Sequence, residues 1–372
     1  MALGYQVTLV SGSYSHLFSQ LPKTQGKFTH EMIDGIEYIW VKVPKYRSSK
    51  SIGRIWNMLS FAWNLRSLKI SGAPHVLVSS PSLFPIKIAK KWVKRFQSKL
   101  FFEVRDIWPL TLVELSNLTS THPLIRVMEY YEKFAYRHAD KVISLLPAAQ
   151  EHFVSQGMRA DKFVYLPNGI EIEGGELAPL PSSLEMKIPK EKFIVAYAGT
   201  IGLANNLGYL VEAAETLKTY RDIHFIILGQ GGETQELQNR VQKLGLENIT
   251  FVGAVKKEMV GSFLKKVDVA FISLLPEKLF RFGVSPNKVF EYMYAKKPIV
   301  WAVEAGNNLV EEAQCGISVP LNNVSKLKEA ILELKLLSRE KREELGQNGY
   351  NFVNTHHSYR MLAEKLIKII EE

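Results

Sequence analysis

The feature that most constrains the fold is an alternation of short β-rich runs with helical patterns along the whole chain. In the first half we predict strands at residues 6–10, 35–43, 75–79, 99–104, 141–145 and 162–166. Helical patterns lie between them at residues 55–70, 85–96, 123–138 and 147–156. Alternation of this kind is typical of parallel βα units.

The second half repeats the alternation after a segment, residues 169–189, that holds paired glycines and three prolines and is typical of a linker. Its predicted strands are 193–198, 224–228, 249–252, 267–272, 298–301 and 316–319. Its predicted helices are 207–219, 234–244, 256–265, 286–295, 306–314 and 324–336. The sequence therefore predicts two α/β domains with doubly wound, Rossmann-like parallel sheets, at residues 1–170 and 171–355. Ligands of such domains bind at the carboxyl ends of the strands, which we expect to face an interdomain cleft.

The start of the chain reads as the end of a helix followed by a strand. Leu3, Gly4 and Tyr5 fit a helix terminus with a glycine just beyond it, although no helix body precedes them. A doubly wound domain opens with a strand, a loop and then this helix. We therefore expect a β-loop-α unit upstream of residue 1.

Charge is distributed unevenly between the two halves. Residues 1–170 hold 22 Lys and Arg against 11 Asp and Glu, whereas residues 171–372 hold 25 against 26. Helix 85–97 places its bases on one side and its apolar residues on the other. This pattern predicts either a sheet-packing helix with a solvated basic face or peripheral contact with anionic lipid. No apolar run approaches the roughly 20 residues of a membrane-spanning helix, so we expect a cytoplasmic protein.

A second-half segment, residues 282–293, has the composition of an anion site at the start of a helix. Ser285 suits the N-cap and Pro286 the first helical position. Asn287 and Lys288 follow in the first turn, and Glu291 lies on the same helix face one turn later. Free amides and the helix dipole bind anions at such a position. The alternative is a capped surface helix with a solvated Lys–Glu pair.

The order of the segments resembles the family 4 glycosyltransferases, which are retaining enzymes with the two-domain GT-B fold. The resemblance covers essentially the whole chain. It rests on Tyr131-Glu-Lys-Phe-Ala-Tyr-Arg-His-Ala-Asp-Lys-Val-Ile-Ser, Leu166-Pro-Asn-Gly-Ile, Tyr197-Ala-Gly-Thr-Ile-Gly, Ile227-Leu-Gly-Gln-Gly, Ile249-Thr-Phe-Val-Gly and the block from Gly283 to Glu291. Members that build O-antigen and capsule often carry this form of the last block. The resemblance thus implies transfer of a sugar from a nucleotide-diphosphate sugar, with retention, to a lipid-linked or saccharide acceptor of cell-surface polysaccharide.

The resemblance also implies roles for individual residues of the donor site. Glu291 matches the second acid of the family's E-x7-E motif and would bind the donor ribose, whereas Gly283 stands where the first acid is expected. Lys288 would stabilise the departing diphosphate. The remaining donor contacts would come from the backbone around the diphosphate and the base, at Gly199, Thr200, Ile201, Gly202, Gly253, Val255, Ser285, Pro286, Asn287 and Val289. The C-terminal helix, within residues 356–372, would pack on the first domain.

A polar group in the first half follows a predicted strand. Arg105, Asp106 and Trp108 would lie at the carboxyl end of the first sheet and contact the acceptor, with Asp106 bonding a sugar hydroxyl or taking the acceptor proton. The alternative is a structural salt bridge beside a core tryptophan.

Several other chemistries are not supported by the sequence. Gly229-Gln-Gly-Gly232 lacks the spacing of a dinucleotide fingerprint and reads as a tight βα turn. No metal-binding motif or nucleic-acid motif is recognisable, and Cys315 stands alone. We therefore expect no metal, no cofactor beyond the sugar nucleotide and no nucleic-acid partner. Two functional alternatives remain open: a sugar-nucleotide epimerase of the same architecture and a basic, non-catalytic binding protein.

Overall fold

The chain folds into two units. The computed structural model describes residues 3–16, 18, 20–47, 51–70, 75–115, 118–172 and 177–372. The first unit comprises Met1–Leu145, Ala149–Leu166 and Leu366–Glu372, and the second comprises Leu146–Ala148 and Pro167–Lys365. The paired glycines of the predicted linker, Gly174 and Gly175, lie outside the described residues.

The first unit alternates strands and helices as the sequence pattern predicts. Its strands are β1 (Thr8–Gly12), β2 (Phe28–Ile33), β3 (Ile36–Val41), β4 (Val76–Ser79), β5 (Leu100–Val104), β6 (Lys141–Ser144) and β7 (Phe163–Tyr165). Its helices are α1 (Ile52–Leu65), α2 (Ile86–Phe96), α3 (Leu110–Leu115), α4 (Pro123–His138) and α5 (Gln150–Ser155).

The strands of the first unit form two sheets. Strands β4, β5, β6 and β7 pair in that order and all run parallel, while β1 pairs parallel with β3 in a second sheet. Strand β2, which was not predicted, pairs antiparallel with β3. Asp34 and Gly35 connect the two strands and both have positive φ, as a two-residue hairpin turn requires. This Asp-Gly pair was the sequence signal for the missed hairpin.

The core of the first unit lies between the parallel sheet and its helices. Phe101 and Ile143 are almost fully buried and pack with Ile369 near the chain's C-terminus. Helix α2 buries Ile86, Ala89 and Val93, a spacing of three and four residues that places them on one helix face.

The second unit contains the remaining elements. Its strands are β8 (Phe193–Ala198), β9 (Ile223–Leu228), β10 (Ile249–Gly253), β11 (Val269–Ser273), β12 (Ile299–Ala302) and β13 (Gly316–Ser318). Its helices are α6 (Ser182–Glu185), α7 (Leu207–Thr216), α8 (Thr234–Lys243), α9 (Lys257–Leu264), α10 (Asn287–Tyr294), α11 (Leu309–Glu312), α12 (Val324–Leu336) and α13 (Arg339–His356). Helix α14 (Tyr359–Glu371) begins in the second unit, and its residues from Leu366 onward belong to the first. Helix α13 was not predicted, and His356 ends it, whereas we expected His356 at the start of the C-terminal helix.

The sheet of the second unit has the strand order β10-β9-β8-β11-β12-β13, with all pairs parallel. The chain moves outward from β8 in one direction and then from β11 in the other, so the order reverses between these two strands. The predicted class, two α/β domains built on parallel sheets, is confirmed. In such a sheet the carboxyl ends of β8 and β11 mark the point where ligands bind. Among the helices described, none combines the length and apolar character that crossing a bilayer requires.

Candidate active site

Two side chains one turn apart attach helix α10 to the end of β8. Lys288 donates a hydrogen bond from Nζ to the Tyr197 hydroxyl at 2.7 Å. Tyr292, four residues later and fully buried, accepts a bond from the Ala198 amide at 2.9 Å and lies 3.1 Å from the Ala198 carbonyl oxygen. Residues four apart share one helix face. The start of α10 is therefore fixed at the strand end where the topology predicts a ligand.

The ammonium of Lys288 has neutral partners. Besides Tyr197, it donates to the side-chain oxygen of Asn205, and both of these residues also bond the Thr200 carbonyl, at 2.7 and 3.0 Å. No carboxylate of the described residues forms an ion pair with Lys288. Desolvation by burial lowers the pKa of Lys288 to about 8, against an opposing effect of Glu291. A desolvated cation without a paired acid indicates a site for an anion.

The loop after β8 offers only part of its backbone to a ligand. The Gly199 amide donates to Leu228 at 2.9 Å and the Ile201 amide to Gln230 at 3.0 Å. In the described part of the chain, the amides of Thr200 and Gly202 have no acceptor. The Ile201 side chain is also fully buried. Of the four predicted loop contacts, the amides of Thr200 and Gly202 are thus free to donate to a ligand. The Ile201 side chain packs in the core.

Two glycines let the loop after β9 pack against this first loop. A Cβ at Gly229 would lie 1.8 Å from the Gly199 carbonyl oxygen, and a Cβ at Gly231 would lie 2.1 Å from that of Ile201. Neither position accommodates a larger residue without moving the backbone. The glycines that resemble a dinucleotide fingerprint therefore support the loop after β8.

The start of α10 differs from the prediction in one detail. Ser285 is not the N-cap: the helix begins at Asn287, and Pro286 precedes it with an extended ψ of 118°. Ser285 instead bonds Asn168, accepting from its backbone amide at 3.0 Å and, through its own carbonyl, from its side-chain amide at 2.8 Å. This interaction anchors the segment before the helix.

Two amides at the start of α10 are available to an anion. Within the described residues, the Asn287 and Lys288 amides have no acceptor, while the Val289 amide lies 3.1 Å from the Pro286 carbonyl oxygen. The Val289 side chain is fully buried. Because the dipole of an α-helix is positive at its N-terminus, the two free amides and the Lys288 ammonium all favour negative charge.

The backbone at Gly283, which stands where the family motif has its first acid, has a conformation that favours glycine. This residue has a φ of 106°, and a Cβ on it would lie 2.5 Å from Pro147 Cδ. Next to it, Asn307 fixes Val284 through two bonds, from the Val284 amide at 2.8 Å and to its carbonyl at 3.1 Å. The backbone here suits glycine, and a glutamate would require a different loop conformation.

Glu291 has a partner that the sequence did not predict. Its carboxylate lies 3.0 Å from the ammonium of Lys257, which is largely exposed, whereas Glu291 is mostly buried. Lys257 begins α9, two residues after Val255, the last residue of the segment from Gly253 to Val255. The predicted ribose ligand therefore lies beside the segment predicted to face the base. The Lys–Glu pair of the alternative interpretation is formed with Lys257, not with Lys288.

The predicted acceptor residues lie in the first unit, directly after β5. The amides of Arg105 and Asp106 donate to the buried Ser80 hydroxyl, at 2.9 and 3.3 Å. The Trp108 ring is 5.3 Å from the Arg54 guanidinium. Desolvation raises the pKa of Asp106, while the charges of Arg105 and Arg54 act in the opposite direction. A carboxyl group with a raised pKa is suited to accept a proton.

A cavity of about 560 Å³ lies at the opposite end of the second sheet. Its walls include Lys265, Lys266, Lys296 and Lys297, which follow the last residues of α9 and α10. Bases are favoured near helix C-termini by the dipole, so these positions need no ligand to explain them. Among the described residues, no three His, Cys, Asp or Glu side chains are grouped as a metal site would require.

Comparison with known proteins assigns both halves of the chain. Residues 1–169 match the family described as glycosyl transferase 4-like domain, and residues 184–352 match glycosyl transferases group 1. An alpha-D-kanosaminyltransferase of Streptomyces kanamyceticus is 25% identical over 274 residues, covering 70% of this chain and 69% of that protein. The putative colanic acid biosynthesis glycosyl transferase WcaI of Escherichia coli K12 is 21% identical over 301 residues, covering 75% and 73%.

A solved structure supports the same fold. Alr3699/HepE from Anabaena, crystallised in complex with UDP, superposes with a TM-score of 0.65 over 91% of this chain and 86% of that one, at 16% identity. Together with the two family matches, this defines the class as glycosyltransferases with the GT-B fold. The chain belongs to the family 4-like glycosyltransferases.

Proposed function

We propose that this enzyme transfers a sugar from a nucleotide-diphosphate sugar to an acceptor hydroxyl, with retention of the anomeric configuration, in the assembly of cell-surface polysaccharide such as O-antigen, capsule or exopolysaccharide. The observation that carries the proposal is the desolvated ammonium of Lys288. It lies among neutral partners at the start of α10, beside free backbone amides. A nucleoside diphosphate supplies the missing negative charge.

In this proposal the diphosphate binds between the loop after β8 and the start of α10. The amides of Thr200, Gly202, Asn287 and Lys288 donate to its oxygens, and the Lys288 ammonium neutralises charge on the leaving group. Donors held in place before the reaction stabilise developing charge without reorganisation. The site residues thus provide this stabilisation without a metal ion. The name of the Anabaena structure, a complex with UDP, supports a nucleotide donor.

Glu291 is proposed to bind the ribose hydroxyls of the donor. Its pairing with Lys257 holds the carboxylate toward the segment from Gly253 to Val255, which is proposed to face the base. A carboxylate accepts bonds from both hydroxyls of a ribose, and such charge-assisted bonds contribute about 1.5–3 kcal/mol. The remaining carboxylate oxygen is available for this contact while Lys257 holds the other.

Transfer breaks the bond between the anomeric carbon and the diphosphate oxygen and forms a bond from the acceptor oxygen on the same face. The acceptor hydroxyl loses its proton, for which Asp106 is the proposed acceptor, and Arg105 and Trp108 contact the acceptor sugar. The raised pKa of Asp106 supports this assignment.

The acceptor is proposed to be lipid-linked or a saccharide, and the enzyme to lie in the cytoplasm against the inner face of the membrane. WcaI is named for colanic acid biosynthesis, which supports a role in polysaccharide assembly. Helix α2 is the proposed contact with anionic lipid. Two of its five bases are engaged by α4, since Lys87 bonds Tyr130 and Lys90 bonds His138. Lys91, Lys94 and Arg95 remain exposed.

A thermal-shift panel of nucleotide sugars tests the proposal. One donor class should raise the unfolding temperature in proportion to its concentration, because a ligand of the native state stabilises by mass action. That donor is then incubated with lipid-linked and free saccharide acceptors, and NMR of the product reports the anomeric configuration. Product from donor alone indicates an epimerase, and inversion excludes retention. No stabilisation by any nucleotide sugar contradicts the donor site.

A further inference from the structure

Helix α1 of the first unit presents an apolar face to solvent. Trp56 and Trp63 are 63% and 67% exposed, and Leu59 lies between them at 39%. The opposite side of the helix buries Met58, Ala62 and Leu65. Because residues three, four and seven apart share a helix face, the two tryptophans and Leu59 form one continuous surface. We call these three residues the α1 face.

Two polar side chains of α1 are directed to the protein's own backbone. Asn57 donates to the Pro44 carbonyl and Asn64 to the Lys42 carbonyl, both at 2.8 Å. A surface helix ordinarily turns its polar side chains to water and its apolar ones inward. Helix α1 has apolar residues on both sides, and more than half of the surface of each of its two tryptophans is exposed.

The surroundings of the α1 face are strongly basic. Between Tyr38 and Phe102 the sequence has 13 Lys and Arg and no Asp or Glu. One of these bases, Arg66, lies with its guanidinium 4.5 Å from the ring of Trp63, and Lys69 is exposed three residues later. This stretch of the chain, which contains α1 and α2, therefore carries only positively charged side chains.

Helix α2 adjoins α1 through a shared apolar cluster. Buried Leu65 and Leu68, at the end of α1 and just beyond it, pack with partly buried Ile88 and Trp92 of α2. The exposed bases of α2, Lys91, Lys94 and Arg95, follow the same helix. The two helices are thus neighbours in the first unit; α1 has an exposed aromatic side and α2 has exposed bases.

We infer that the α1 face inserts into the interface of an anionic lipid membrane, with α2 contributing electrostatic attraction. Tryptophan is the residue that prefers the boundary between hydrocarbon and head groups. An amphipathic helix with aromatic residues on one face and bases beside it binds in the plane of that boundary. Each base near an anionic surface adds roughly 1 kcal/mol. The inference rests on the proposed function, in which the enzyme lies against the inner face of the membrane, and it names the element that holds the enzyme there.

The experiment compares three variants of the whole chain on vesicles of phosphatidylcholine with and without phosphatidylglycerol. The double variant Trp56→Ser/Trp63→Ser removes the aromatic rings, and Trp56→Phe/Trp63→Phe keeps apolar rings without indole. Leu336→Ser, at an apolar position of the second unit that is 83% exposed, is the control. Sedimentation measures binding at low and high salt, and quenching by lipids brominated in the acyl chain measures the depth of tryptophan.

We expect the wild type to bind anionic vesicles and its emission to be quenched by brominated lipid. The Ser double variant should bind the anionic vesicles at least about tenfold more weakly than the wild type, since binding strength scales with the apolar area inserted. The Phe variant should keep binding and lose most of the quenching, and Leu336→Ser should match the wild type. Equal binding of the Ser variant, or unchanged quenching of the Phe variant, overturns the inference. The inference is also overturned if the wild type does not bind vesicles but forms a dimer, and the Ser double variant does not form that dimer.

The same preparations are tested for nucleotide-sugar binding, which separates the two proposals. All variants should bind donor as the wild type does, because α1 lies outside the donor site. Donor binding and sugar transfer without vesicle binding would disprove the membrane inference and leave the proposed function intact. Vesicle binding through the α1 face without any nucleotide binding would disprove the proposed donor site and leave the membrane inference intact.

Discussion

Lys288 and Tyr197 are joined by a 2.7 Å hydrogen bond between the ammonium and the phenol hydroxyl. The ammonium also lies 4.6 Å from the centre of the Tyr197 ring. The hydroxyl in turn lies 2.7 Å from the Thr200 carbonyl oxygen, to which it donates. One tyrosine therefore fixes both the cation proposed to meet the diphosphate and the loop proposed to bind it.

Donor binding should weaken as pH rises through about 8. The pKa of Lys288 is about 8 in the free protein, and a bound diphosphate raises it by supplying a counter-charge. Between the two pKa values, binding takes up one proton, so affinity falls by up to about tenfold per pH unit. Calorimetry with UDP from pH 7 to 9.5 measures this. If the affinity of Lys288→Arg for UDP falls with pH as steeply as that of the wild type, the proton is taken up by another group.

The lowered pKa of Lys288 also affects the stability of the fold. As pH rises, its contribution to stability increases, whereas donor affinity falls. Burial depresses the pKa of Lys288 from 10.5 to about 8, so the unfolded chain binds more protons between these values. The contribution of this residue to the free energy of unfolding therefore becomes more favourable as pH rises from about 8 to about 10.5. Urea denaturation of the wild type and Lys288→Met at pH 7.5 and 9.5 should show a smaller rise in the variant. Identical rises contradict the depressed pKa.

Loss of the Tyr197 hydroxyl should impair donor binding without unfolding the protein. Tyr197→Phe removes the acceptor of the Lys288 bond and the donor to Thr200, and we expect affinity for the nucleoside diphosphate to fall about three- to tenfold. Tyr209→Phe is the matched control, since its hydroxyl bonds the Pro320 carbonyl at 3.0 Å in the same unit. Equal affinities of the two variants would show that Tyr197 has no special role in positioning Lys288.

The sequence did predict that the loop from Gly199 to Gly202 and Lys288 meet at one end of the sheet, because both follow strands in an order that the topology brings together. The sequence could not show which side chains are buried in the core or which hydrogen-bond and ion-pair partners each group has. Ile201 and Val289 fall within the predicted donor contacts, yet their side chains fill the core. Ser285 has the composition of an N-cap, but its hydroxyl bonds Asn168, which lies 117 residues earlier in the chain. Long-range partners such as Lys257 for Glu291 depend on strand order and register, which local patterns do not encode.

The Ser285–Asn168 pair should stabilise the second unit. Asn168→Ala removes the bond to the Ser285 carbonyl and Ser285→Ala leaves the Asn168 amide without its acceptor, each costing about 1–2 kcal/mol of unfolding free energy. Ser325→Ala, at an exposed position on α12, should cost far less. Chemical denaturation measures all three. Stability equal to that of the Ser325 variant would contradict a structural role for the pair.

Glu291 should confer a preference for ribose over 2′-deoxyribose. Glu291→Gln keeps the shape of the side chain but loses charge-assisted bonds of about 1.5–3 kcal/mol. We expect the wild type to bind a ribonucleoside diphosphate at least about tenfold more tightly than its 2′-deoxy analogue, and the variant to lose most of this difference. Glu312→Gln, an exposed acid on α11, is the control. A variant with undiminished preference would move the ribose contact elsewhere.

The central claim is that Lys288 provides the cation for the donor diphosphate, and calorimetry of Lys288→Met tests it most directly. UDP, GDP, ADP, CDP and dTDP are screened on the wild type, and the tightest binder is titrated together with its monophosphate and nucleoside. The wild type should favour the diphosphate, and Lys288→Met should bind it about 10- to 100-fold more weakly while its affinity for the nucleoside is unchanged. Lys288→Met that retains wild-type affinity for the diphosphate would contradict the account.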